Sequence, residues 1–240
     1  MKDTTISVDV AKSVFEVAVS LHPGHVAETH RLSRPRFARF FASRAPTTVV
    51  MEACGMAHHW GRELQSQGHR VVLLPPHAVR PYVPRNKTDR TDAKGILEAF
   101  RNQAIHPVPV KTVAQQALAA LHRLRSRWMA TRTSRINTVR GVLREFGVPI
   151  PLGSRQVVPA VRAALEDADS GLPDAIRPAL DEACAEIRDL EARIDSVERQ
   201  IEAVARETPI VPALRSVPGI GLLTATCLLY TSTLPTILRV

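Results

Sequence analysis

With 240 residues, 45% of them hydrophobic, and a mean hydropathy of -0.05, the chain has material for one large or two modest domains with real cores. Its formal net charge of +9 and isoelectric point near 10.3 point to a polyanionic partner, nucleic acid before an acidic membrane surface. No run approaches the roughly 18 apolar residues of a membrane span, no signal peptide opens the chain, and Cys54, Cys184 and Cys227 lack CxxC spacing, so a reducing, cytoplasmic and nucleoid-associated bacterial protein without a zinc motif is expected.

Residues 4–10 alternate, with Ile6, Val8 and Val10 on one face and Ser7 and Asp9 on the other, which predicts a strand. Residues 14–20 read as a second strand, His22-Pro-Gly-His25 as a turn and 26–32 as a third strand of a meander. A helix over 35–43 carries Phe37, Phe40 and Phe41 at helical spacing. A short β-branched strand, 47–51, ends at Glu52, and a helix over 57–67 stops at Gly68. The adjacent His58 and His59 read as helix surface, since neighbours on a helix point about 100° apart. A strand over 70–74 closes at Pro75-Pro76, a Pro- and Arg-rich loop spans 79–87, and Thr88 caps a helix running to about Arg101. Three strands, helix, strand, helix, strand, loop, helix is the order of a ribonuclease H-like α/β domain, expected over 1–105.

The rest reads as helical. From Ala99 to Arg144 there is no Asp or Glu, and the arginines there, among them Arg123, Arg125, Arg127, Arg132 and Arg135, predict contact with a nucleic-acid backbone over 106–153. Leu118, Leu121, Leu124, Trp128, Val139, Leu143 and Phe146 give that stretch a ragged apolar stripe. Over 154–208, after a break rich in Pro, Gly and Asp, the run Ile176, Leu180, Ala183, Ile187, Leu190, Ile194, Val197, Ile201 and Val204 forms a heptad seam. Such a coiled-coil seam either joins two copies, the favoured expectation, or pairs with the Arg-rich helix as an antiparallel hairpin. In the last segment, 209–240, Val217-Pro-Gly-Ile-Gly221 resembles a partial helix-hairpin-helix turn, with backbone N–H groups at Gly219 and Gly221 offered to a phosphate.

Four acids carry the chemistry: Asp9 and Glu52 at strand ends, and Asp89 and Asp92 three apart at a helix start. An acid ending a buried run costs desolvation unless a cation compensates. Carboxylates converging from three elements suit a pair of hard divalent ions, Mg²⁺ or Mn²⁺, roughly 3.5–4 Å apart, acting on a phosphodiester. Lys12, Arg85, Lys87, Arg90 and Lys94 lie near these acids in sequence as phosphate-binding candidates.

The runs Val8-Asp-Val-Ala-Lys12, Val49-Val-Met-Glu-Ala-Cys-Gly55, Lys87-Thr-Asp-Arg-Thr-Asp-Ala-Lys94 and Val217-Pro-Gly-Ile-Gly-Leu-Leu-Thr-Ala225 resemble the DEDD transposases of the insertion sequence 110 family over about residues 4–228. The resemblance implies a domain similar to the Holliday-junction resolvase RuvC with Asp9, Glu52, Asp89 and Asp92 as its metal-binding catalytic acids. It further implies a coiled-coil linker, multimeric assembly on DNA and a structured guide RNA. Family members continue into a region with a nucleophilic serine; Ser232, in Tyr-Thr-Ser-Thr-Leu-Pro, does not match that motif, so a C-terminally truncated transposase is expected. The alternatives are a non-catalytic nucleic-acid-binding remnant and a RuvC-like junction nuclease.

Overall fold

A computed structural model of the chain describes residues 4–22, 25–83 and 89–231, with the backbone alone for 89–91 and 230–231. Two compact units divide at Thr112 and Val113. In the first, the strands β1 (Thr5–Val10), β2 (Val14–Ser20), β3 (Glu28–Ser33), β4 (Thr48–Glu52) and β5 (Arg70–Leu74) form one sheet in the order β3-β2-β1-β4-β5. The pairs β1–β2 and β2–β3 are antiparallel, and β1–β4 and β4–β5 are parallel. A meander extended by parallel strands is compatible with a ribonuclease H-like fold.

The alternation read from the sequence decides the two faces of this sheet. Ile6, Val8, Phe15, Val17, Val49, Met51 and Leu73 fall on one face and are buried beneath the helices α1 (Arg34–Ala42) and α2 (Ala57–Ser66). Phe15 stacks on Phe37 at 4.5 Å, and Trp60 meets Phe37 and Phe15 edge-on at 4.9 and 5.4 Å. Each fully buried phenylalanine contributes about 1.5–3 kcal/mol, so this cluster is the main fastening of α1 to the sheet. Phe40, one step off the buried face, instead lies under the Arg44 guanidinium at 4.0 Å.

On the opposite face Val50, Val72 and Leu74 pack with Ile96 and Ala99 of a later helix. The chain reaches it through a four-residue helical turn, α3 (Pro76–Val79), and the helix itself is α4 (Asp89–Arg101). Over β1 and β2 this face narrows to Ser7 and Ala18 beneath Ala93 and Leu97. The Ser7 hydroxyl donates to the Ala93 carbonyl at 2.6 Å, which pins α4 to β1. Gly95 matters on the other side of α4, where a Cβ would come within 3.0 Å of the Tyr82 carbonyl oxygen.

The first unit extends beyond the expected boundary at 105. After α4 the chain returns along β5, where the Val108 N–H donates to the Leu73 carbonyl at 2.7 Å and Val108 and Val110 join the core. The returning segment thereby covers an edge that would otherwise be left unpaired. It also separates the two histidines expected on the helix surface. His59 is exposed, whereas His58 accepts the Lys111 N–H on Nδ1 at 3.2 Å and is half-buried.

The second unit contains the helices α5 (Val113–Glu145), α6 (Val157–Glu166), α7 (Arg177–Arg206), α8 (Ile210–Arg215) and α9 (Leu222–Thr231). The expected seam is present on α7, where Leu180, Ile187, Leu190, Ile194, Val197 and Ile201 are buried. Its partner lies in the same chain. Arg125 meets Glu198, Arg132 meets Glu191 and Arg135 meets Glu186, so α5 and α7 run antiparallel. Ile136, Val139 and Leu143 of α5 and Val157 and Val161 of α6 bury the first turns of α7. The expectation of a homo-oligomer through this seam is therefore corrected: its apolar residues are already covered, and the hairpin alternative describes the chain. Leu124 and Phe146, placed in the apolar stripe of α5, are 47% and 37% exposed because that stripe drifts off the α7 contact.

Candidate functional site

The site is set by strand register. Val8 pairs with Met51 as the last parallel step between β1 and β4, so Asp9 and Glu52 stand side by side, one residue beyond. Asp9 shares its face with Ser7, and Glu52 shares its face with Val50, which is the side covered by α4. Both acids are half-buried at the carboxyl ends of adjacent parallel strands, where α/β sheets commonly place their chemistry. The turn after Glu52 is tight: the Ala53 N–H donates to the Leu74 carbonyl at 2.8 Å and the Cys54 N–H to the Glu52 carbonyl at 2.8 Å.

Cys54 senses both acids. Its thiol points toward the Val10 carbonyl at 3.7 Å. Burial pushes the thiol pKa up, and the charges of Glu52 and Asp9 push it further, against backbone N–H groups of Met56 and Ala57 that pull it down. Arg34 braces the two turns that follow the acids. Its guanidinium donates to the Lys12 carbonyl at 3.3 Å, touches the Met56 sulfur at 3.3 Å and lies over the Trp60 ring at 5.6 Å.

Asp89 begins α4, and its side chain lies outside the described residues. Asp92 lies one turn further in, directly before Ala93, whose carbonyl accepts the Ser7 hydroxyl. One Asp92 carboxylate oxygen is buried without a hydrogen-bond partner. A buried unsatisfied oxygen costs about 1–3 kcal/mol, more when charged, and a bound cation is the kind of group that relieves it. On that observation the acids fit a divalent ion. Among the described residues no three His, Cys, Asp or Glu side chains close around a common point.

The basic candidates separate into several groups. Lys12 and Lys94 are exposed, at the β1–β2 turn and on α4. Arg85 and Lys87 lie outside the described residues, and of Arg90 only its place in α4 is described. On α5, Arg125, Arg135 and Arg132 are drawn to acids of α7 at 2.6, 2.8 and 3.9 Å. These three arginines partly neutralise the helix pair itself, a role that the acid-free run hid because its acids come from another element. Arg123 and Arg127 are exposed and make no ion pair among the described residues. Gly219 adopts φ +86° in the turn between α8 and α9, and both it and Gly221 are exposed. Sequence reading passed over Ser7, Cys54 and Arg34, because each acts through contacts made in the fold.

A family model for DEDD transposases of the IS110 type, described as a transposase, matches residues 6–148, more than half of the chain. The chain belongs to the IS110 transposase family. It is 40% identical over 230 residues to a "Probable family 20 transposase" of Pseudomonas aeruginosa, covering 94% of this chain and 67% of that protein. It is 36% identical to the "Transposase for insertion sequence element IS1111A" of Coxiella burnetii, covering 94% and 62%. To the "Transposase for insertion sequence element IS1328" of Yersinia enterocolitica it is 32% identical, covering 94% and 66%. The chain thus spans about two thirds of the length of the curated relatives it matches. Among the described residues of this family member no helix is long and apolar enough to cross a membrane.

Proposed function

We propose that the chain provides the acidic phosphodiester-cleaving part and the helical nucleic-acid-holding part of an insertion-sequence transposase acting on DNA. The reading is carried by the placement of Asp9 and Glu52 at neighbouring strand ends beneath the helix that bears Asp92 and its orphaned buried oxygen. Asp9, Glu52, Asp89 and Asp92 would hold Mg²⁺ or Mn²⁺. Such an ion polarises a phosphoryl oxygen and activates an attacking oxygen. The chain's own part is to hold the carboxylates: β1 and β4 fix two by register, Ser7 fixes the height of α4, and Arg34 ties down the turns on either side. Lys12 and Lys94, with Arg85, Lys87 and Arg90, would meet the phosphates on either side of the reacting bond.

On α5, Arg123 and Arg127 would contact backbone phosphates of DNA or of a structured RNA guide, and the turn at Gly219 and Gly221 would offer N–H groups to a further phosphate. The guide RNA rests on family membership, and the α5 arginines serve either polyanion. The test is nicking of branched and duplex DNA with Mg²⁺ or Mn²⁺ by the chain and by an Asp9→Asn/Asp92→Asn variant. Metal-dependent cleavage lost in the variant is expected. Binding without cleavage in the parent would leave the nucleic-acid-binding reading alone.

A further inference from the structure

Glu16 lies in direct antiparallel register with Asp9, and Arg31 lies in register with Glu16. The pair Ser7 and Ala18, two residues away, faces α4, so the alternation of β2 and β1 turns Glu16 and Asp9 to that same face. Across four neighbouring strands the face toward α4 therefore carries one row: Arg31, Glu16, Asp9 and Glu52.

Two carboxylates directly opposite on antiparallel strands repel, with side chains about 4.5–5.5 Å apart at Cβ. A surface ion pair does not account for Glu16. Arg31 approaches it at 3.4 Å, but the Arg31 side chain is 69% exposed whereas that of Glu16 is 12% exposed. The carboxylate is thus tucked under the sheet face beside Asp9, and its partner reaches in from the solvent side. A sheet that keeps two like charges in register, half out of water, gains from a cation on that face.

We propose that Glu16 is a fifth acid of the divalent-cation site, acting beside Asp9, and that Arg31 is its counterweight. The proposal rests on the cation reading of Asp9, Glu52, Asp89 and Asp92 given above. In it Glu16 adds negative charge at the ion, and Arg31 competes with the ion for that charge. The two residues should therefore act with opposite sign, which a merely structural pair would not do.

The experiment is calorimetric titration of Mn²⁺ into the whole chain, carried out on the parent and on Glu16→Gln, Arg31→Ala, the double variant, and Asp9→Asn/Asp92→Asn. Glu16→Gln is expected to weaken Mn²⁺ binding about threefold to tenfold, and Arg31→Ala to strengthen it by a similar factor, as for a unit charge a few ångströms from the ion. The double variant should resemble Glu16→Gln, because Arg31 acts through Glu16. Weakening by both single variants, or no change in either while Asp9→Asn/Asp92→Asn abolishes binding, overturns the role of Glu16 and leaves the four-acid site standing. Unchanged binding in Asp9→Asn/Asp92→Asn overturns both. Thermal melts without metal control for folding: Glu16→Gln should be as stable as the parent or more so, having lost a repulsion.

Discussion

Asp92 illustrates how one side chain links stability to function. Its buried, unpartnered oxygen is a local cost that a purely structural residue would have no reason to carry. Asp92→Asn should keep the fold, with a melting temperature at or above that of the parent, and should weaken Mn²⁺ binding at least about tenfold. A variant that melts earlier and binds Mn²⁺ normally would make Asp92 a packing residue. His58 gives a separate prediction, governed by pH. Burial first, then the charges of Lys111 and Arg62, lower its pKa from 6.5 to about 4. Below pH 6.5 the unfolded chain takes up a proton that the folded chain refuses, so this contribution to stability is full above 6.5 and is lost as pH falls toward 4. Denaturant unfolding of His58→Gln should accordingly lose less stability over that window than the parent does. Parallel pH curves would mean that His58 is solvated as a surface residue. The two strand-end acids were legible from sequence because each interrupts an apolar run. Glu16 and His58 were not, since their neighbours, Asp9 and Lys111, arrive by strand register and by the return of the chain along β5.

At the scale of elements, strand and helix order followed from periodicity, because each element of the first unit buries one face and shows it in sequence. The partner of α7 did not follow. A heptad seam states that an apolar stripe must be covered, but a stripe has no address, and α5 covers this one within the chain. Ile194→Ala, at the buried seam, should cost about 2–5 kcal/mol in denaturant unfolding, whereas Leu124→Ala, at 47% exposure, should stay within about 0.5 kcal/mol. Equal effects would contradict the assigned seam. The same pairing divides the arginines. Arg123→Ala/Arg127→Ala should flatten the dependence of DNA or RNA affinity on salt, lowering the slope by about 2 if each meets one phosphate. Arg125→Ala/Arg135→Ala should change that slope less, and its stability cost should be modest, because exposed ion pairs contribute about 0.2–1 kcal/mol each. If the second variant flattens the slope as much as the first, the pairs with α7 open on nucleic acid.

For the whole molecule, charge and family membership agree. A formal charge of +9 calls for a polyanion, and the family is one of transposases. Within that charge the acids are placed rather than scattered: Asp9, Glu52 and Asp92 gather about one end of the sheet, and Glu186, Glu191 and Glu198 line α7 opposite arginines. One group suits a cation and the other holds a helix pair together. The net basic surplus is left for nucleic acid. The central claim is that the first group binds a divalent ion. It is tested most directly by Mn²⁺ titration of the metal-stripped chain, followed by the electron paramagnetic resonance of free Mn²⁺, beside Asp9→Asn/Asp92→Asn. Saturable quenching of the free-ion signal in the parent, lost in the variant, is the predicted result. Equal signals in the two proteins would contradict a cation site at these acids.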